Sequence, residues 1–242
     1  MVKMMELFNK KNSKILLAIL VVVVICTLLL VVLKSIKKEE EKESIDTKIV
    51  QVIPQDVRKI YRILTSNECY VDFNFEFKND LKIKTTDMND DIILTIIFNN
   101  LKENNKLSNN LTKEEYLSSA KEILGSNFNA PNTFTNFKHN DYAYTLTENN
   151  ITKTKTDCNS SKEYKTVLYS YSYNQDNLSV YINYAYIENG NVYDLDKNYI
   201  AKYSSEEMEN IMGKATSYIY NFKKENKNYY LTSVEKTIRE IK

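Results

Sequence analysis

The sequence of 242 residues is poor in the residues that build most catalytic and nucleotide-binding sites. It contains one histidine, three glycines, two prolines, three cysteines and no tryptophan. The glycines are widely separated and form neither G-x-G-x-x-G nor a P-loop, which excludes nucleotide binding through a glycine-rich loop. Any histidine-based triad or dyad must use the single histidine, His139, which lies in the polar segment NFKHND. We expect His139 to be a surface residue in a loop.

Two short patterns imitate known sites without completing them. Asp87, Asn89 and Asp91 have the spacing of a calcium loop, but Ile92 stands where the turn needs glycine. The segment SSAK at 118–121 matches S-x-x-K, but the companion S-D-N and K-T-G motifs are missing. The sequence therefore identifies no catalytic residue, no metal ligand and no cofactor, and favours a protein that is not an enzyme. A carboxylate-dependent cell-wall enzyme stays an alternative, because paired carboxylates cannot be recognised from sequence.

Charge is nearly balanced over the chain but unevenly distributed. There are 33 basic and 32 acidic residues, and residues 1–38 hold seven lysines and one glutamate. Residues 39–242 therefore carry 26 basic and 31 acidic residues, a net charge of −5. A mildly acidic domain lacks the basic patch that nucleic acid requires, so we expect no nucleic-acid partner.

One long apolar run stands out near the N-terminus. Residues 15–33 contain nineteen apolar or nearly apolar residues without a charge, and lysines flank both sides. A helix of this length rises about 28 Å, close to the hydrocarbon thickness of a bilayer. The run is longer than the core of a cleaved signal peptide, and Ile25 before Cys26 does not fit a lipoprotein motif. We therefore expect a single transmembrane helix that anchors the chain in the lipid bilayer.

This anchor predicts the organisation of the chain. Residues 1–14 form a cytoplasmic tail, 15–33 the transmembrane helix, 34–48 a charged linker and 49–242 an extracytoplasmic domain. Because lysines lie on both sides of the span, the positive-inside rule does not choose an orientation. We place the short N-terminal tail inside, because it precedes the first span and because acidic residues follow the span. The predicted location is the cell membrane, with the C-terminal domain extracellular. A composition rich in Asn, Lys, Ile and Tyr indicates a low-GC bacterium.

Hydrophobic periodicity predicts helices in the first half of the domain. Apolar residues at helical spacing indicate a helix at 54–66, and acidic residues before an apolar run indicate another at 87–103. Thr112 and Glu115 form a capping box that begins a helix at 113–124, which Gly125 ends. A strand is predicted at 70–77, and a short helix at 204–212.

Alternation with a period of two predicts strands in the second half. A final strand pair at 215–223 and 228–238 follows a hairpin whose turn is 174–177. The residues expected to share one face of a strand are, for three strands in turn, Tyr142, Tyr144 and Leu146; Val167, Tyr169, Tyr171 and Tyr173; and Leu178, Val180, Ile182, Tyr184 and Tyr186. The predicted fold class is α+β, with helices packed on one face of a curved antiparallel sheet.

The segment SYIYNFKKENKNYYLTSVEKTI, residues 217–238, resembles the C-terminal hairpin of uncharacterised single-span envelope proteins of low-GC bacteria. The helix that ends at Gly125 before tyrosine-rich strands is similar as well. This resemblance implies an envelope location and the α+β fold. It does not indicate any particular activity. An anchor followed by helices and a curved sheet also resembles NTF2-like domains of conjugative secretion scaffolds, and a cystatin-like arrangement is an alternative of the same class.

Cys69 and Cys158 are candidates for one disulfide if the domain is extracytoplasmic. Closing about 90 residues stabilises a fold by roughly 4 kcal/mol in the chain-entropy model. Two unpaired thiols are the alternative.

The functional hypothesis is a membrane-anchored extracytoplasmic binding or scaffold protein of a bacterial cell envelope. Its tyrosine-bearing strands are suited either to a core or to a surface that contacts an envelope protein or stacks on cell-wall glycan. The alternatives are a subunit of a secretion or conjugation complex and a carboxylate-dependent cell-wall enzyme.

Overall fold

The computed structural model describes residues 53–66, 75, 77, 81–148, 150–157 and 163–237, all within one compact unit, Ile53–Lys242. No helix in this part of the chain is long and apolar enough to cross a membrane. The predicted anchor 15–33, the tail before it and the linker 34–48 lie outside the described residues. Cys69, Cys158 and most of the predicted strand at 70–77 lie outside them as well.

The helices of the first half form where the sequence predicted them. They are α1 (Gln55–Thr65), α2 (Asp90–Glu103) and α3 (Lys113–Leu124). Helix α2 begins three residues later than predicted, because a 3₁₀ turn, Thr85–Asp87, precedes it and the Asn89 side chain accepts a hydrogen bond from the Ile92 amide. The capping box of α3 is confirmed: the Glu115 amide donates to Thr112 Oγ1, and the Thr112 amide donates to Glu115 Oε2.

Helix α2 is buried from Ile92 to Leu101, on all sides. It lies against α1 and α3, and it also contacts the strand Phe134–His139, which follows α3. Burying the apolar side chains of this stretch is favourable, by about 25 cal/mol for each Å² of apolar surface removed from water. Tertiary packing therefore outweighs the low helix propensity of the isoleucines in this segment.

The strands form two antiparallel sheets rather than the single sheet that we predicted. The smaller sheet contains β2 (Phe134–His139), β3 (Tyr142–Leu146) and β4 (Ile151–Lys155) in that order. The larger sheet contains seven strands: β1 (Lys82–Lys84), β5 (Glu163–Asn174), β6 (Asn177–Glu188), β7 (Asn191–Asp194), β8 (Tyr199–Lys202), β9 (Thr216–Glu225) and β10 (Asn228–Lys236). The coarse α+β prediction is confirmed.

Strand β6 is the centre of the larger sheet. Strand β5 pairs along one edge of β6, and the other edge is shared by β9, which pairs with 177–184, and β7, which pairs with 185–188. Beyond β9 follow β10 and the short β1, and beyond β7 follows β8. The sheet therefore has two arms on the same side of β6.

The main core lies between the three long helices, the smaller sheet and one face of the larger sheet. Its strand residues alternate along β6 and β9, as predicted for β6: Leu178, Val180, Ile182, Tyr184, Tyr218, Tyr220 and Phe222. Helix α4 (Met208–Met212), shorter than predicted, packs on the opposite face of β6. There Ile211 and Met212 contact Ala185 and Val192, and Asn183 Nδ2 donates to the Met212 carbonyl. Helices therefore cover both faces, not one.

The predicted face of β5 is wrong because of a β-bulge. The register with β6 shifts between Leu168 and Ser170, so Tyr169 is an extra residue. Leu168 and Tyr171 pack on the main core. Val167 packs at the opposite face of the sheet, on the cluster that includes Ala185 and Val192. A strict period of two cannot reveal an inserted residue, because the bulge reverses the alternation beyond it.

Candidate functional site

The only histidine is buried, and its predicted surface position is wrong. His139 is the last residue of β2 and is 0% exposed. The hairpin turns at Asn140 and Asp141, so the alternation of Phe137 and His139 directs both side chains inward. This alternation before a two-residue turn is the sequence signal that could have located His139 in a strand.

His139 belongs to a chain of buried hydrogen bonds. Its Nε2 lies 2.8 Å from Asn99 Oδ1, and Asn99 Nδ2 donates to the Ile63 carbonyl at 2.8 Å. The Asn140 side-chain amide lies 3.2 Å from His139 Nδ1. An Nδ1 acceptor and an Nε2 donor make a neutral imidazole that satisfies both neighbours. Burial, assisted by the charge of Lys102, lowers the pKa of His139 to about 3.

This chain of hydrogen bonds connects β2, α2 and α1, and it is closed to solvent at His139. In this arrangement the His139 side chain has no solvent-exposed atom that a substrate could contact. His139 therefore stabilises the fold. Among the described residues, no three His, Cys, Asp or Glu side chains are placed to hold a metal ion either.

A row of four tyrosines crosses strands β5, β6, β7 and β8 of the larger sheet. Tyr164 on β5 pairs with Tyr186 on β6, Tyr186 with Tyr193 on β7, and Tyr193 with Tyr199 on β8. Adjacent ring centroids are 5.7, 5.4 and 6.0 Å apart, and the central pair is stacked at 19°. Cross-strand partners lie on the same face of a sheet, so these four residues, hereafter the tyrosine row, form one continuous line of aromatic rings.

Exposure rises toward one end of the tyrosine row. Tyr186 is buried, Tyr164 and Tyr193 are half-buried, and Tyr199 is 61% exposed. The buried members stabilise the pairing of short strands, at roughly 0.2–1 kcal/mol for each cross-strand pair. An exposed tyrosine at the end of such a row adds little to folding, and its ring is available to a ligand. The sequence pointed to Tyr186 but missed Tyr164, Tyr193 and Tyr199. The last two lie on β7 and β8, which are too short to show a clear period.

The tyrosines singled out from the sequence separate into two groups. Tyr144 and Tyr184 are buried in the main core. Tyr169 and Tyr173 on β5 are 60% and 44% exposed. The Tyr173 hydroxyl donates to the Asp56 carboxylate, and burial together with Asp56 raises the pKa of Tyr173. Only part of the predicted tyrosine set therefore remains available for a contact surface.

A cleft of about 340 Å³ opens at the other end of the sheet, beside Gly125. Its lining comes from the loop after α3, from the corner between β1 and the 3₁₀ turn, and from the β9–β10 hairpin. Gly125 has φ of +99°, a conformation that favours glycine, and a Cβ there would lie 3.8 Å from the Tyr230 ring. The volume of this Gly125 cleft is at the lower end of the range for small-molecule sites.

No protein-family model, curated protein or solved structure matches the chain. Function must therefore be argued from the two surfaces described above, the tyrosine row and the Gly125 cleft.

Proposed function

We propose that this chain is a membrane-anchored extracytoplasmic binding protein of a bacterial cell envelope, and that the exposed end of the tyrosine row contacts cell-wall glycan. The proposed location rests on the apolar run 15–33 and its flanking lysines. The proposed mode of action rests on the tyrosine row, whose Tyr199 ring is 61% exposed.

Sugar rings suit this surface for a physical reason. The C–H groups of a pyranose are apolar on one face, and a tyrosine ring offers a flat apolar surface with a polar hydroxyl at its edge. Tyr193 and Tyr199 meet edge to face at 75°, so together they present a corner rather than a single plane. A glycan chain passing this corner contacts both rings while its hydroxyl groups stay in water.

Hydrogen bonds hold the exposed end of the row in place. Asp194 and Asn198, which lie beside Tyr193 and Tyr199, are engaged with each other: the Asn198 amide and side chain both donate to the Asp194 carboxylate. These bonds fix the β7–β8 turn, and with it the position of Tyr199. An aromatic edge held in a fixed position supports a binding role.

A subunit of a secretion or conjugation complex is the second candidate. Its support is architectural: three helices packed on one face of an antiparallel sheet, in a chain with a proposed N-terminal anchor, suit the NTF2-like arrangement. A partner protein would then replace glycan at the exposed tyrosines.

The test is retention on purified peptidoglycan sacculi, using the full-length chain in detergent. Tyr199→Ala should reduce retention about two- to twelvefold, because one exposed stacking contact is worth roughly 0.5–1.5 kcal/mol. Tyr169→Ala is the matched control, since Tyr169 is equally exposed, at 60%, on a different strand. Thermal unfolding should be unchanged in both variants.

Two outcomes would contradict the proposal. Tyr199→Ala could bind sacculi as well as the unchanged chain, or both variants could lose binding equally. Release of sugar fragments from the sacculi, abolished by one Asp or Glu substitution that leaves stability unchanged, would establish the enzyme alternative instead.

A further inference from the structure

The Gly125 cleft shares no residue with the tyrosine row, and its lining combines apolar and charged side chains. The apolar and aromatic side chains are those of Leu124, Phe128 and Tyr230. Lys84 and Lys223 line the cleft as well, and Lys223 is the cross-strand partner of Tyr230. A ligand that contacts both kinds of side chain needs a carbon-rich ring and a negative group.

The two lysines are not equivalent. Lys223 Nζ lies 3.5 Å from Glu225 Oε1, so Lys223 already has an anionic partner at the surface. Lys84 has no carboxylate within ion-pair distance in the part of the chain that the structure describes. The excess positive charge of the cleft therefore lies at Lys84, where β1 ends.

Hydrogen-bonding groups of both kinds surround this charge. Glu225 and the carbonyl end of α3 accept hydrogen bonds, and the hydroxyls of Thr86 and Ser126 can donate or accept them. A hydrocarbon acid would form no hydrogen bonds with these groups, so it would gain binding free energy only from its carboxylate and its apolar contacts. A polyhydroxylated ring satisfies both kinds of group.

We propose that the Gly125 cleft binds an acidic sugar, with the sugar ring against Phe128 and Tyr230 and the carboxylate near Lys84. The choice of a sugar from cell-wall glycan rests on the proposed envelope function. The requirement for a ring and one negative group rests on the cleft alone. The two sites then recognise different features of one polymer. The tyrosine row contacts the face of a sugar ring, and the Gly125 cleft binds an acidic substituent.

The test is a ligand-observed NMR titration of the full-length chain in detergent with two free sugars. N-Acetylmuramic acid and N-acetylglucosamine differ by one lactyl carboxylate, so they isolate the role of the negative group. The acidic sugar should bind more tightly than the neutral one. Lys84→Gln should lower the affinity for the acidic sugar by about five- to tenfold, because a charge-assisted hydrogen bond to the carboxylate is lost. The affinity for the neutral sugar should stay unchanged.

Matched variants separate charge, ring contact and folding. Lys138→Gln removes an exposed lysine of β2 outside the cleft and should change neither affinity. Tyr230→Leu should lower the affinity for both sugars, because an aromatic ring that contacts the sugar ring is lost. Since Lys84 is exposed on a short edge strand, Lys84→Gln should keep the thermal unfolding midpoint of the unchanged chain.

Equal affinity for the two sugars, binding of neither, or an unchanged affinity in Lys84→Gln would each overturn the proposal. Failure here is distinguishable from failure of the proposed function. Tyr199→Ala should leave these titrations unchanged, whereas it should reduce retention on sacculi.

Discussion

The buried histidine gives a quantitative prediction about stability and pH. His139 is neutral and completely buried, and burial holds its pKa at about 3. In the unfolded chain the imidazole returns to its ordinary pKa of about 6.5. Between these two values the unfolded state binds a proton that the folded state rejects.

The sign and size of the effect follow from this difference. Stability must rise with pH where the unfolded state binds more protons, so acid destabilises the fold as pH falls below 6.5. At pH 4.5 the loss is about 2–3 kcal/mol relative to pH 7.5, from two pH units at 1.36 kcal/mol each. For a domain of this size that lowers the melting temperature by roughly 5–10 °C.

The assay is urea unfolding at pH 7.5 and pH 4.5 of a chain that begins at Ser44 and carries no histidine tag. His139→Gln is the informative variant, because glutamine can still donate to Asn99 Oδ1 but cannot titrate. Its stability should fall by about 2–3 kcal/mol less between the two pH values than that of the unchanged chain. Carboxylates affect both chains alike, so the difference isolates His139.

A second measurement tests the same reasoning directly. The chain has one histidine, so its imidazole NMR signal needs no assignment. That signal should stay in the neutral form down to the pH at which the domain unfolds. Titration with a midpoint near 6.5, or an equal pH dependence in His139→Gln, would refute the buried neutral imidazole.

The remaining predictions concern folding, topology and the cysteines. Thr112→Ala should lower the free energy of unfolding by about 1 kcal/mol, measured in urea against Thr86→Ala, because the α3 cap is lost. The chain from Ser44 should unfold in one cooperative transition, and two transitions would reveal a missed domain boundary. Protease added to intact protoplasts should remove residues 39–242, and survival of the domain would reverse the proposed orientation. Mass spectrometry of non-reduced peptides distinguishes a Cys69–Cys158 disulfide from free thiols; Cys158→Ser should lower the melting temperature only if the disulfide exists.

Local signals predicted the helices and the longest hairpins. Thr112 and Glu115 satisfy the free amides of the first helical turn, an interaction between residues three apart, and Gly125 supplies the conformation that ends the helix. The hairpins of β5 with β6 and of β9 with β10 likewise follow from alternation around short polar turns. Their tertiary partners did not need to be known.

Contacts between distant residues decided everything that concerns the sites. His139 was expected in water because its neighbours in sequence are polar, yet Asn99, 40 residues earlier, supplies its hydrogen-bond partner. The tyrosine row requires the register of four strands, and the Gly125 cleft requires three segments that are far apart in the chain.

By itself, therefore, the sequence determined the helices, the α+β class and the scarcity of catalytic residue types, because these depend on local backbone preferences and on composition. Only the tertiary structure decided which face of β5 is buried, that helices cover both faces of β6, and which tyrosines and lysines converge. Burial and side-chain proximity are set by packing between segments that the chain order leaves far apart, and no local pattern encodes them.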